Sequence, residues 1–457
     1  MAEPKVTVYI TAYNYGKYIE EAVKSVLNQT YKDWELIIID DGSTDNTREL
    51  LEKYSGKDGI KIIYQKNRGL TYTNNVALKE SMGKYIIRLD ADDYLDENAL
   101  LVMANVLDGD DELGLVYPDY YEVDEEGEIL NIFRRKKIGT EVKLLDLPAH
   151  GACTMIRKSS LMEIGGYNEE LSRQDGYDFW LKFIDRFKPS NVNLPLFYYR
   201  KHGKSLTDDM SKLLKTRRQL KRDFVKQHRQ GKIPKVLAII PAVRKSDVYP
   251  EIALKELAGK PLIRYSIEEA LKSELLDRVV VTTDDDKIIE YASTFERVVA
   301  IKRPESISIP HTKIAAAVRF VLDKLEEEGY RPDAVMLLYI TVPTRRSEHI
   351  DKAIDTLTIH DTDSVVSVTQ EKGFFYYHDK YGMKPLFEER LLKKEREALF
   401  RENGAVFLYK KESIKDGEFV CNSTGHIVMT EGESIQITSE LDFWIVEKII
   451  KEYPKGL

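Results

Sequence analysis

The stretch Asp90-Ala91-Asp92-Asp93 carries the densest chemistry in the sequence. Three carboxylates this close, with no Lys beside them, repel one another unless a cation neutralises them, and Mg²⁺ or Mn²⁺ favours such oxygen ligands. A cation held there could grip a nucleotide diphosphate. On its own the stretch serves equally well as a solvated acidic turn capping a helix from Glu97 to Val106. A second acidic turn, Asp40-Asp41-Gly42-Ser43-Thr44-Asp45, offers Asp41 as an acceptor for a base N–H or ribose hydroxyls. Asp40 reads as structural, and Ser43 or Thr44 as the cap of the next helix.

Both turns need strands to position them. Tyr85-Ile86-Ile87-Arg88-Leu89 is short, apolar and bounded, a buried strand that ends at the first turn. Leu36 to Ile39 does the same for the second. Val6 to Ile10 leads into the loop Thr11-Ala12-Tyr13-Asn14-Tyr15-Gly16, after which Ile19, Ala22, Val23, Val26 and Leu27 recur at helical spacing. Leu50, Leu51 and Tyr54 face inward on a second helix, and Lys61 to Tyr64 is a strand before Gln65-Lys66-Asn67-Arg68-Gly69. Strand, loop and helix repeated this way predict a mostly parallel sheet with ligands at the strands' C-terminal edge.

At 457 residues the chain is too long for one ordinary core, and two or three domains are expected. Its 69 Lys and Arg against 77 Asp and Glu leave a net charge of −8, which argues against a nucleic-acid partner. Cys153 and Cys421 do not suggest a disulfide framework or a Cys-based zinc site, so a reducing cytoplasm fits. Met1-Ala2-Glu3-Pro4 has no signal-sequence pattern, and no apolar run is long enough to span a membrane. From Asp208 to Gln230 the sequence reads as a helix rich in Lys and Arg. A solvated connector is the simpler account; peripheral contact with the inner face of an anionic membrane is the other. Gly231-Lys232-Ile233-Pro234 marks a boundary. An α/β pattern restarts at Lys235, with strands at Val236 to Ile240, Arg278 to Thr282, Ala334 to Tyr339, Ser364 to Thr369 and Ala405 to Tyr409.

The ordered set Thr11-Ala12-Tyr13-Asn14, Ser25-Val26-Leu27-Asn28-Gln29-Thr30, Asp40 to Asp45 and Leu89 to Asp93 resembles the family-2 inverting glycosyltransferases of GT-A fold. Gly165-Gly166-Tyr167-Asn168-Glu169 and Tyr199-Arg200-Lys201-His202 continue the resemblance, which covers about residues 4 to 207. It implies a nucleotide side made by Thr11, Tyr13, Asp41, Arg68 and Asp90. It also implies a Mn²⁺ or Mg²⁺ site at Asp92 with Asp90 and His202. An inverting transfer needs a base for the acceptor hydroxyl. The family keeps this carboxylate before a Trp, in the segment that here reads Arg173-Gln174-Asp175-Gly176-Tyr177-Asp178-Phe179-Trp180. With Gly176 as an inserted residue, Asp175 is the first choice and Asp178 the second; for Asp178, capping the following helix is an equal alternative.

The second half resembles the cytidylyltransferases that activate sialic and related nonulosonic acids. The residues are Ile239-Ile240-Pro241-Ala242, Leu257 to Leu262, Thr282-Thr283-Asp284-Asp285, Asp363 to Thr369, Arg401-Glu402-Asn403-Gly404-Ala405 and Ser439-Glu440-Leu441-Asp442. Arg345, Arg401 and Asn403 would lie around nucleotide and sugar by this resemblance. The departures are specific. The phosphate-loop Arg and Lys of the family are Val243 and Asp247 here, and two metal-site Asp positions are Gln436 and Thr438. Neutral groups are poor substitutes for carboxylates on Mg²⁺. The segment Arg303 to Pro310 also lacks an Asp near Pro310.

The sequence therefore predicts two Rossmann-like α/β nucleotide-binding domains in tandem. A GT-A glycosyltransferase domain (1–207) and a basic helical linker (208–234) precede a degenerate cytidylyltransferase-like domain (235–457). The expected function is metal-dependent inverting transfer from a nucleotide-diphosphate sugar to a hydroxyl of a glycan, lipid-linked or protein acceptor. The second domain is expected to bind a ligand or to form a homodimer. The rivals are a bifunctional enzyme that also activates a sugar acid with CTP, and a non-catalytic scaffold.

Overall fold

The computed structural model describes residues 3–135, 151–171, 175–201, 210–228, 230–244, 251–308, 313–371, 373–386, 399–415 and 417–452. The chain divides into two compact units, Met1–Leu220 and Lys221–Leu457.

In the first unit the runs of Val and Ile become strands because both their faces are covered. Strands β1 (Val6–Ala12), β2 (Trp34–Asp40), β3 (Ile60–Tyr64) and β4 (Tyr85–Asp90) pair in parallel in the order β3-β2-β1-β4. The sheet continues through β5 (Tyr94–Leu95), β6 (Leu113–Val123), β7 (Ile129–Phe133), β8 (Met155–Arg157) and β9 (Lys188–Arg200). Its full order is β3-β2-β1-β4-β8-β6-β9-β5, with β7 on the side of β6. The expected parallel sheet holds for the first four strands, whereas β8 runs antiparallel to both β4 and β6.

Helix α1 (Ile19–Leu27) buries Ile19, Ala22, Val23 and Val26, the stripe expected from spacing. Helices α2 (Thr47–Glu52), α3 (Leu70–Glu80), α4 (Ala99–Gly109) and α5 (Lys158–Glu163) follow. Helix α6 (Asp175–Ile184) presses Phe179, Trp180 and Phe183 against Tyr9, Ile37, Ile39 and Ile86 on the opposite sheet face from α1. Two helix starts differ from the sequence reading. The helix after the first acidic turn begins at Ala99, and α6 begins at Asp175, so Asp178 lies within the helix and does not cap it.

Helix α7 (Met210–His228) corrects the picture of a solvated connector. Lys221 is 4% exposed, Phe224 5% and Val225 fully buried. Arg222 pairs with Glu274 at 2.8 Å and Asp355 at 3.4 Å, and Lys221 Nζ donates to Thr356 Oγ1 at 3.3 Å. The second half of α7 is thus built into the second unit.

That unit holds β10 (Val236–Pro241), β11 (Leu276–Thr283), β12 (Val298–Lys302), β13 (Ala334–Leu337), β14 (Ser364–Glu371), β15 (Leu399–Lys410) and β16 (Thr424–Met429). Their order is β12-β11-β10-β13-β15-β14-β16, parallel over the first four. Helices α8 (Leu262–Lys272), α9 (Asp286–Ser293), α11 (Ser347–His360) and α12 (Glu440–Glu452) cover one face, and α10 (Ile314–Glu327) the other. Among the described residues no helix is long and apolar enough to cross a membrane.

Candidate active site

Three strand ends meet in register at the C-terminal edge of the first sheet. Ala12 pairs with Asp40, and Thr11 with Asp90. The loop after β1 turns at Asn14, whose φ of 61° lies in the left-handed region that Asn tolerates. Its Oδ1 accepts from the main-chain N–H of Thr44 at 2.7 Å and of Asp45 at 3.3 Å. Asp45 answers by accepting from Gly16 N at 3.0 Å and Thr47 N at 3.0 Å. Asp45, and neither Ser43 nor Thr44, therefore serves the start of α2. Gly42 has φ +82°, and a Cβ there would stand 2.7 Å from Asn67 N, so only glycine fits. Tyr13 stands 46% exposed on this edge.

Asp41 is 5% exposed, and its carboxylate is already engaged. Oδ1 accepts from Gln65 Nε2 at 2.7 Å and Arg68 N at 2.9 Å, while Oδ2 accepts from Gly69 N at 2.9 Å. In this structure Asp41 fixes the loop that carries Arg68. The Arg68 guanidinium, exposed, stacks 3.6 Å over the Tyr72 ring. Asp40 accepts from Ser43 N at 2.9 Å, the structural role read from the sequence.

The three carboxylates after β4 have three different fates. Asp90 pairs with Arg88 Nε at 2.9 Å, so the cluster, which has no Lys beside it, has an Arg as its basic partner. Asp93 is 1% exposed, with Oδ1 accepting from Arg200 N at 2.9 Å and Oδ2 without a hydrogen-bond partner among the described residues. Burial, then Asp92 and Asp90, raises its carboxyl well above the usual range. Asp92 is part-exposed. Burial and the charges of Asp92, Asp90 and Asp93 push the Tyr15 hydroxyl up, and burial and the same three push up Tyr199. Both hydroxyls thus lie close to the loop's carboxylates, one of which Arg88 pairs. Among the described residues no three His, Cys, Asp or Glu side chains form a metal cage by themselves.

Asp175 is the first residue of α6, and its side chain lies outside the described residues, as does all of His202. Asp178 is described: its carboxylate pairs with Lys182 Nζ one turn on, at 2.7 Å.

In the second unit Arg345 is 2% exposed and donates to the carbonyls of Tyr339 and Ala405 at 3.1 and 2.8 Å and to Ser266 Oγ at 2.6 Å. Burial lowers its guanidinium to about 9. Asn403, fully buried, accepts from Ser367 Oγ at 2.6 Å and donates to Thr369 Oγ1 at 3.0 Å. Both side chains tie the interior together. Arg401 is exposed and pairs with Glu371 at 2.6 Å. Asp442 Oδ2 accepts from Thr438 N, Thr438 Oγ1 and Ser439 Oγ at 2.9, 2.7 and 2.9 Å. The Gln436 amide lies over Gly404, 3.5 Å from where its Cβ would stand.

Residues 7–165 match the family Glycosyl transferase family 2, and residues 237–414 the family Cytidylyltransferase. The chain joins a family-2 glycosyltransferase domain to a cytidylyltransferase-family domain. A chondroitin synthase of Escherichia coli is 34% identical over 209 residues, covering 44% of this chain and 30% of the relative. An uncharacterised glycosyltransferase of Methanocaldococcus jannaschii is 33% identical over 191 residues, covering 40% of this chain and 66% of the relative. The solved structure of S. aureus TarS 1–349 with UDP-GlcNAc is 21% identical. It covers 48% of this chain and 66% of that one at a TM-score of 0.41. The chain spans 30% or less of the length of the first curated relatives it matches.

In the family-2 domain the sequence reading missed Arg88, Tyr15 and Arg200 as parts of the acidic loop's setting. Arg88 was legible, because residues two apart on a strand share a face. Tyr15 and Arg200 were not, since 108 residues separate Arg200 from the Asp92 carbonyl that it binds. The matched part of the cytidylyltransferase-family domain ends at residue 414, before Gln436, Thr438 and Asp442.

Proposed function

We propose that the chain transfers a sugar, with inversion, from a nucleotide-diphosphate sugar to a hydroxyl of a glycan, lipid-linked or protein acceptor. The observation that carries this reading is the meeting of the ends of β1, β2 and β4, with Asp41 and Asp92 on the loops after β2 and β4 and Arg68 on the loop after β3 that Asp41 holds. Relatives named chondroitin synthase and hyaluronan synthase favour the glycan among the acceptors. The site of action is cytoplasmic, at the inner face of the membrane where the acceptor is lipid-linked.

Thr11, Tyr13, Asp41, Arg68 and Asp90 form the nucleotide side, with Asp41 acting also through the loop that it fixes. Asp92, with Asp90 and His202, would hold Mn²⁺ or Mg²⁺. The donors fit: a hard cation of this kind takes one or two protein carboxylates and completes its shell with phosphate oxygens and water. The part-exposed Asp92 suits it. When bound, the cation supplies neutralisation of the charge growing on the departing diphosphate. Asp175 removes the acceptor proton as the new C–O bond forms. Asp178 is the weaker candidate because Lys182 already pairs with it.

The cytidylyltransferase-family domain serves in binding or in dimerisation, without cytidylyl transfer. Gln436 and Thr438 support this, as does an Asp442 engaged in capping α12. The match to Cytidylyltransferase favours the alternative, a bifunctional enzyme; CTP-dependent pyrophosphate release by the full chain would establish it.

The test is turnover of UDP-, GDP-, TDP- and CDP-sugars with Mn²⁺. EDTA should abolish transfer, and Asp92→Ala should lower it by at least about 100-fold. Undiminished activity in Asp92→Ala sinks the metal assignment. Asp175→Asn should lower kcat by about 10²–10⁴, with Asp178→Asn near wild type; the reverse result moves the base to Asp178.

A further inference from the structure

Arg135 is a cation without an anion. It lies two residues beyond β7, and its main-chain N–H donates to Asp119 Oδ1 at 2.8 Å. Its guanidinium lies over two rings of β6, Tyr117 at 5.5 Å and Tyr120 at 5.4 Å. Both rings are buried, and Phe133 stacks on Tyr120 at 4.9 Å, so they form a fixed wall behind the charge. Burial lowers the guanidinium from its ordinary value. Among the described residues the guanidinium makes no hydrogen bond or ion pair, and its Nε is buried without a partner. Asp119 does not serve it: the Oδ1 that holds the Arg135 main chain also accepts from Asn191 Nδ2 at 3.4 Å. Arg88 and Arg200, on the same half of the sheet, are paired with Asp90 and Glu21. A half-buried charge left unpaired is unfavourable, and a packing role alone does not call for one.

The sheet register places this cation beside the acidic loop. Ile87, Met155 and Val116 stand level across β4, β8 and β6. Three residues on, β4 ends at Asp90 and β6 reaches Asp119, two strand spacings or about 10 Å apart. Cys153, whose N–H donates to the Arg88 carbonyl at 2.7 Å, lies between them. The separation is on the scale of a monosaccharide or two.

We propose that Arg135 is a specificity-determining residue that takes the carboxylate of an acidic sugar, borne by the donor or by the acceptor. The proposal rests on the reading of the first domain as a sugar transferase. A guanidinium stays charged at any working pH and offers paired N–H groups that match the two oxygens of a carboxylate. One carboxylate also balances its single charge. The aromatic wall keeps water from one side of the pair, which strengthens it. A neutral sugar would leave the guanidinium unpaired, and a site rejects an analogue most strongly when its own polar group loses a partner.

The experiment measures binding by calorimetry on the full chain with Mn²⁺. The nucleotide that binds tightest among UDP, GDP, TDP and CDP is chosen first. Its glucuronate and glucose derivatives are then compared, and a second arm compares a hyaluronan tetrasaccharide with its carboxyl-reduced form. Wild type should prefer one acid to its neutral twin by about 10–100-fold, the worth of a hydrogen bond between charged groups. The arm that shows the preference identifies the donor or the acceptor as the source of the carboxylate. Arg135→Gln should abolish the preference with the affinity for the neutral twin unchanged, and Arg135→Lys should keep part of it. The thermal midpoint should hold in both variants, since no hydrogen bond or ion pair within the protein is lost. Equal binding of acid and neutral twin by wild type in both arms overturns the proposal, as does a preference that survives Arg135→Gln. If Arg135→Gln weakens the bare nucleotide as much as the acidic sugar, the guanidinium serves the diphosphate and the proposal falls. If none of the four nucleotides binds, the transferase reading fails and takes the proposal with it.

Discussion

The chain carries two parallel sheet edges and equips them differently. At the first, three carboxylates crowd one loop: one is neutralised by Arg88, one turned inward onto Arg200, and one left part-exposed. At the second, Gln436 and Thr438 are neutral, and Asp442 is occupied by Thr438 and Ser439. The matches 7–165 and 237–414 establish a nucleotide-binding type of fold at each edge. What separates the edges is the direction in which a few oxygens point and what already holds them. A fold provides the edge, and the chemistry depends on the side chains placed there.

The contrast breaks most visibly if matched substitutions behave alike. Asp92→Asn should lower sugar transfer by at least about 100-fold, the loss of a charge-neutralising ligand. Asp442→Asn should leave transfer unchanged. Its effect should be confined to stability, about 1 kcal/mol for a weakened helix cap, read by denaturant unfolding. Equal losses of transfer would mean that the second edge takes part in the reaction.

Testing the second edge by itself depends on where the chain is cut. A fragment beginning at Lys235 loses Phe224 and Val225 from its interior and leaves Asp355 without Arg222. Removing one partner of a buried ion pair costs about 3–5 kcal/mol. We expect that fragment to unfold at a clearly lower denaturant midpoint than residues 210–457. Equal midpoints would return α7 to the role of a solvated connector.

A smaller effect belongs to pH. Burial raises the Asp355 carboxyl to about 6, against the pull of Arg222. A carboxyl whose folded value is raised binds its proton more tightly when folded. Its contribution to stability is therefore full below the ordinary carboxylate range and falls as pH rises toward about 6. Asp351, Lys221 and Arg222 face this group, and the loss is about 3 kcal/mol by linkage. Denaturant unfolding of the full chain between pH 4 and about 6.5 should show this slope in the second unit, and Asp355→Asn should flatten it.

The central strands were legible because burial on both faces writes them as unbroken Val and Ile runs, as in Leu36-Ile37-Ile38-Ile39. The loops were legible as positions but not as partnerships. Asp41 could be read as an acceptor, yet its donors, Arg68 N and Gly69 N, lie 27 and 28 residues away. The aromatic half of the first sheet was read least well. Strand β9 runs 13 residues, from Lys188 to Arg200. Its Tyr198 stacks with Tyr94 at 4.4 Å and Tyr121 at 4.9 Å, contacts that no local periodicity announces. Helix α7 was found as a helix. Its packing was missed because a Lys- and Arg-rich composition reads as solvated, whereas Arg222 finds Asp355 133 residues on.

Arg200 also bears on the order in which the molecule is assembled. The contacts among β1 to β4 close within the first 90 residues, but those of Arg200 reach back 107 residues to Asp93 and 179 to Glu21. Such closures come late, since a long loop must be ordered before its contacts reward it. A chain still on the ribosome can build the parallel core of its first unit while its acidic loop lacks the last strut. The finished geometry around Asp92 is thus a property of the completed unit, set only once the end of β9 has been made.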